Sequence, residues 1–159
     1  MMKKLLSVCL LSSALLAGCG GEKNEADVEG CEHLQEGPSA SVTATASASG
    51  APAVSNDHMR YDISLPAGTG GNVGSVSFAA AEATDYVFFL GSNVTLKVTS
   101  ASGETVTFEE SATSSTECTE IKGRYVAPLQ VGTYTLTFGP TSESRVSLVI
   151  EETAHEHEH

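Results

Sequence analysis

From Met59 to Ile150 the chain alternates apolar and polar residues in short runs, most of them ended by glycine, proline or a small polar turn. Successive side chains of a strand point to opposite faces, so a period of two marks a strand with one buried face. Tyr61, Ile63 and Leu65 alternate with Arg60, Asp62 and Ser64 before Pro66 and the glycines Gly68, Gly70 and Gly71. Val76 and Phe78, then Val94, Leu96 and Val98, then Val106 and Phe108, repeat the pattern. Tyr125 to Leu129, Tyr134 with Leu136 and Phe138, and Val146 with Leu148 and Ile150 complete it, with Gly139-Pro140 ending the middle one. Tyr86-Val87-Phe88-Phe89-Leu90 is apolar on both faces, which predicts a central strand covered from both sides. About eight or nine short strands, with turn signals every ~8–12 residues, predict an all-β antiparallel β-sandwich of jelly-roll-like type. Parallel pairing would need crossover segments that this pattern does not offer.

Pro38 to Ser49 reads two ways. Its Ser/Ala/Thr composition suits a linker, and its strict alternation suits a strand with small inward residues. Thr84 to Leu90 and Gly132 to Phe138 echo one another and resemble the rising strand of small sandwiches appended to bacterial extracellular enzymes. Shared strand chemistry explains the echo equally well, and no function follows from it.

The first 18 residues have a basic start (Lys3, Lys4), an apolar segment from Leu5 to Leu16, and small residues before Cys19. The segment falls short of the ~20 residues a membrane-spanning helix requires. Leu16-Ala17-Gly18-Cys19 resembles the lipobox of bacterial lipoproteins. The resemblance implies that residues 1–18 are a cleaved signal and that Cys19 receives the lipid. Two or three acyl chains, at about 0.8 kcal/mol per buried CH₂, hold a protein stably on a membrane. Gly20 stands where some Gram-negative lipoproteins carry the aspartate that retains them at the inner membrane, so the resemblance favours the outer membrane, on its periplasmic or surface side. Residues 19–30 then read as a lipidated N-terminus with a flexible acidic tether, 31–152 as the sandwich, and 153–159 as a His/Glu tail.

With Cys9 in the signal and Cys19 lipidated, Cys31 and Cys118 remain. In an oxidising compartment the default is a disulfide, closing a loop of about 87 residues and stabilising the fold by about 4–5 kcal/mol on the chain-entropy account. The competing reading is a metal site of Cys31 with His33.

Cleavage before Cys19 removes Lys3 and Lys4 and no acid, taking the formal net charge from −12 to −14. Such a chain repels nucleic acid and anionic lipid, and suits a cationic partner, a metal ion or simple solubility. Histidines are placed unevenly: His33 and His58 precede or open the sandwich, His155, His157 and His159 end the chain, and none lies between Met59 and Ala154. Hydrolysis through a Ser-His-Asp or Cys-His set would have to borrow one of these, and the acid pairs Glu109-Glu110 and Glu151-Glu152 read as solvated surface. The expectation is a binding protein, not an enzyme.

His155-Glu156-His157-Glu158-His159 carries the sharper signal. In an extended chain its three imidazoles share one side, where they suit Zn²⁺ first and Cu²⁺ or Ni²⁺ next. The bland alternative is a solvated tail. If the first and last strands pair antiparallel, His58 comes near the chain's end, and a disulfide at Cys31 fixes His33; a site of His33 or His58 with two tail histidines follows. The expected function is therefore metal capture for buffering or for delivery to a transporter. From a different class comes a structural or adhesive module that binds another envelope protein or a glycan.

Overall fold

The computed structural model describes residues 24–153. One helix, α1 (Glu25–Glu36), precedes eleven strands: β1 (Ser39–Thr43), β2 (Ala53–Val54), β3 (Arg60–Ser64), β4 (Ala67–Gly68), β5 (Gly71–Ala80), β6 (Thr84–Leu90), β7 (Leu96–Ser100), β8 (Glu110–Ala112), β9 (Gly123–Leu129), β10 (Gly132–Thr141) and β11 (Arg145–Glu152). They form two sheets, one of order β1-β3-β11-β6-β9-β8 and one of order β2-β5-β10-β7 with β4 against β5. From β5 onward the chain alternates between the two sheets, apart from the short edge strand β8. The last strand returns beside β3, as in a jelly roll. The all-β sandwich read from the alternation is the fold.

Between the sheets, Tyr61, Ile63, Phe78, Phe88, Leu136, Phe138, Leu148 and Ile150 belong to one buried cluster. Phe78 meets Tyr86 and Phe88 edge-on, with ring centres 5.1 and 5.9 Å apart. β6 is central and doubly covered, as its sequence predicts: Tyr86, Phe88 and Leu90 join the inter-sheet core, while Val87 and Phe89 join a second cluster on the outer face. That second cluster is roofed by α1, through Ala26 and Leu34, and includes Ile121, Val126 and Val149.

The helix corrects the reading of 19–30 as a tether, since Glu25 to Gly30 are helical and packed on the sheet. Asn24 caps it, accepting from the Asp27 N–H at 3.4 Å, and Glu25 and Asp27 place negative charge in its first turn. Its buried stripe is only Ala26, Gly30 and Leu34 with Asp27 beside them, too narrow and too little apolar to show as helical periodicity. Gly30 is needed there, because a Cβ would overlap the Phe89 ring.

Three smaller expectations also change. β1 pairs parallel with β3, and β2 parallel with β5. The crossovers that parallel pairing requires run through the opposite sheet, not through helices. Val106 and Phe108 lie outside the strands: Thr105 makes one bridge to Thr99, and Phe108 packs its ring on Tyr125. The loop from Glu109 to Thr119 instead contains β8, an edge strand on β9. Pro140 does not end β10, which continues through an irregularity between Phe138 and Thr141. The stretch from Pro38 to Ser49 divides into a strand, β1, followed by irregular chain.

Candidate metal centre

Three fastenings fix α1 on the outer face. The Cys31–Cys118 disulfide, predicted from cysteine arithmetic, joins the helix to the loop before β9 with Cα atoms 5.7 Å apart. It also removes the Cys31–His33 metal reading, since neither sulfur is a free thiolate. Near the helix start, Asp27 is buried and accepts from Arg124 Nε at 2.7 Å and from Ser115 Oγ at 2.6 Å. Near its end, Arg60 donates to the Leu34 carbonyl at 2.9 Å. The helix therefore has a fixed rotation, and His33 in its last turn has a fixed direction.

That direction is toward Glu151. His33 Nδ1 lies 2.7 Å from Glu151 Oε1, and His58 Nδ1 lies 3.3 Å from Glu151 Oε2. The two imidazole centres are 5.1 Å apart, and the donor atoms of all three residues lie within 4.8 Å of one another. The β3–β11 register explains the meeting. Arg145 opposes Ser64 and Leu148 opposes Tyr61, so extending the ladder three residues sets Glu151 against His58. The loop holding His58 is itself tied down: the Tyr61 hydroxyl donates to Asp57 at 3.1 Å and accepts from the Ser55 N–H at 3.2 Å, and Asn56 donates to Glu152 at 2.6 Å. His58 itself has φ of 57°, a left-handed conformation costly for a residue with a Cβ.

Accessibility is graded across the three. The side chain of Glu151 is 2 % exposed, that of His33 18 % and that of His58 65 %, so one flank of the cluster opens to solvent. Burial pushes the Glu151 carboxyl up from its ordinary value, against the hydrogen bond from His33 and the charges of both imidazoles, which lower it; the nearby Glu29 carboxylate raises it further. Reading Glu151-Glu152 as solvated surface is therefore wrong for Glu151. As the strand leaves the body its outward side falls beneath α1, and the side chain is sealed there.

Two imidazoles and a carboxylate are the donor set of borderline divalent ions. With bonds of about 2.0–2.1 Å at tetrahedral angles, ligand atoms sit about 3.4 Å apart. His58 Nδ1 and Glu151 Oε2 are already at that spacing, while His33 Nδ1 sits closer to the other oxygen, Oε1, so a shared ion requires the rings and the carboxylate to adjust around it. Sequence reasoning offers His33 and His58 as alternatives, each to be joined by tail histidines. The fold brings them to each other and adds Glu151, while His155, His157 and His159 lie outside the described residues. The lipobox and Cys19 lie outside them too. All nine aromatic residues are buried or half-buried, which leaves no exposed ring on which a sugar could stack. No protein-family model matches the sequence, and no curated protein matches it either.

Proposed function

We propose that this chain is a lipid-anchored protein of the bacterial envelope, favouring the outer membrane, that binds a divalent transition metal for buffering or for delivery to a transporter. Zinc is the first candidate, with copper and nickel next. The observation that carries the reading is the convergence of His33, His58 and Glu151, one from the helix, one from a strained turn and one from the last strand. A buried carboxylate is costly without a compensating cation, and two rings aimed at it supply further donors for one. Lipid attachment at Cys19 rests on the Leu16-Ala17-Gly18-Cys19 pattern, and the Cys31–Cys118 disulfide supports an oxidising compartment. His155, His157 and His159 act in this scheme as outer donors that gather the ion for the inner site. The role is binding, not catalysis.

Calorimetric titration with Zn²⁺, Cu²⁺ and Ni²⁺ tests this on the purified chain, kept soluble by Cys19→Ser, alongside a form lacking 155–159 and a His33→Ala/His58→Ala variant. The full chain is expected to bind one zinc with a dissociation constant of about 1 μM or below. The truncated form should keep that site, and the double variant should lose it. Binding that disappears with the tail and survives the double variant would move the site to 155–159.

A further inference from the structure

The helix places a second carboxylate against the same cluster. Glu29 and His33 are four residues apart on α1, so they lie on one face with Cβ atoms about 5–6 Å apart. The stripe of Ala26, Gly30 and Leu34 packs on the sheet, and the flank bearing Cys31 and Gln35 faces Cys118 and Glu120. The opposite flank, bearing Glu29 and His33, therefore faces Glu151 and His58. Glu29 is exposed, and its carboxylate has neither a hydrogen bond nor an ion pair among the described residues. Two acids thus share one corner of the protein with no lysine or arginine among the described residues paired to either.

Resting on the metal-binding reading above, we infer that Glu29 is a fourth ligand, which makes a centre of two imidazoles and two carboxylates. A divalent ion held by neutral His33, neutral His58 and ionised Glu151 would keep one uncompensated positive charge in a half-buried place. Glu29 brings the sum to zero, which favours a doubly charged ion over singly or triply charged ones. The carboxylate stands outside the three-residue cluster, and because Glu29 sits one helical turn from His33 on an exposed position, rotation about its side-chain bonds brings it toward the cluster. Two imidazoles in the set select zinc, copper or nickel over magnesium and calcium, which take oxygen ligands.

The test compares Glu29→Gln with Glu32→Gln in the otherwise intact purified chain. Both remove one negative charge from an exposed position on α1, and Glu32 points away from the cluster. Competition titration with Zn²⁺ is run at 0.1 M and at 1 M salt, with helix content checked by circular dichroism. Glu29→Gln is expected to weaken binding about ten-fold or more at both salt concentrations, and Glu32→Gln less than about two-fold. Equal effects of the two variants would overturn the assignment. So would a Glu29→Gln effect that vanishes at 1 M salt, where the screening length is about 3 Å, because the carboxylate would then act only through space. If the unaltered chain takes up no zinc, the metal reading itself fails, and that is visible before either variant is compared. Loss of the site in His33→Ala/His58→Ala with full retention in Glu29→Gln would leave that reading standing and remove Glu29 from it.

Discussion

The two faces of the six-stranded sheet are held by different physics. The inner face meets the second sheet through large side chains such as Phe78, Phe88, Phe138 and Leu136, all fully sealed. The outer face meets a single helix whose buried apolar side chains are Ala26 and Leu34, and its attachment relies on a disulfide, the Asp27–Arg124 ion pair and the Arg60–Leu34 hydrogen bond. Burial scales with apolar area and tolerates no charge, so the inner face is a core and nothing else. Beneath the helix Val87, Phe89, Val126 and Val149 still form an apolar cluster, but polar and covalent fastenings carry the helix past the edge of that cluster. That leaves room at the edge for Glu151, and the candidate centre sits on this face for that reason.

Among single substitutions, truncation of Phe88 should therefore have the largest effect. Phe88→Ala removes a fully buried ring from the middle of the inner core and is expected to destabilise the fold by about 3–5 kcal/mol, read by urea unfolding. Zinc affinity of whatever fraction remains folded should be unchanged, since Phe88 faces away from α1. The outer face should answer in the opposite manner. Cys31→Ser with Cys118→Ser is expected to cost about 2–4 kcal/mol and also to weaken zinc binding, because His33 loses its fixed place. A disulfide-free protein that binds zinc as tightly as the native one would show that the helix is held by its ion pair and apolar contacts alone.

The same contrast explains what can be read from residues alone. Inner-core strands announce themselves by period-two alternation, as Tyr61-Ile63-Leu65 and Tyr134-Leu136-Phe138 do, and β6 reveals its double coverage by having no polar side at all. α1 is invisible in the sequence because polar and covalent fastenings leave no apolar stripe: Ala26, Gly30 and Leu34 look like tether. His58 near the end of β11 follows from supposing that the strand opening at Met59 pairs antiparallel with the last one, which β3 and β11 do, although β1 precedes them. Glu151 escapes notice because Glu151-Glu152 at a strand end looks solvated in any sandwich. Only the roof over that strand end turns the first of the two inward, and the roof is the helix that the residues conceal. Carrying the β3–β11 register past Leu148 is the available signal, since it sets 151 against 58.

The smallest expected effect concerns the charge that the outer face conceals. Burial raises the Glu151 carboxyl, so the folded protein holds that proton to higher pH than the unfolded chain does. Below the ordinary carboxylate value of 4.5 both states are protonated and Glu151 carries no penalty; as pH rises from there through its raised value, the unfolded chain ionises first and stability falls. The His33 hydrogen bond and the two neighbouring imidazoles work against this rise, and the Glu29 carboxylate adds to it. Glu151→Gln removes the titration while keeping an oxygen for the His33 N–H. Without metal at pH 8 the variant should be more stable than the native chain by about 1 kcal/mol, the low end of what neutralising a buried ionic group yields. With zinc at about 100 times its dissociation constant the order should reverse, because the native fold gains about 2.7 kcal/mol from binding and the variant little. Thermal melts with and without zinc at pH 5 and pH 8 measure that crossover. Parallel melting curves for the two proteins under all four conditions would mean that Glu151 serves to hold the helix down and holds no cation.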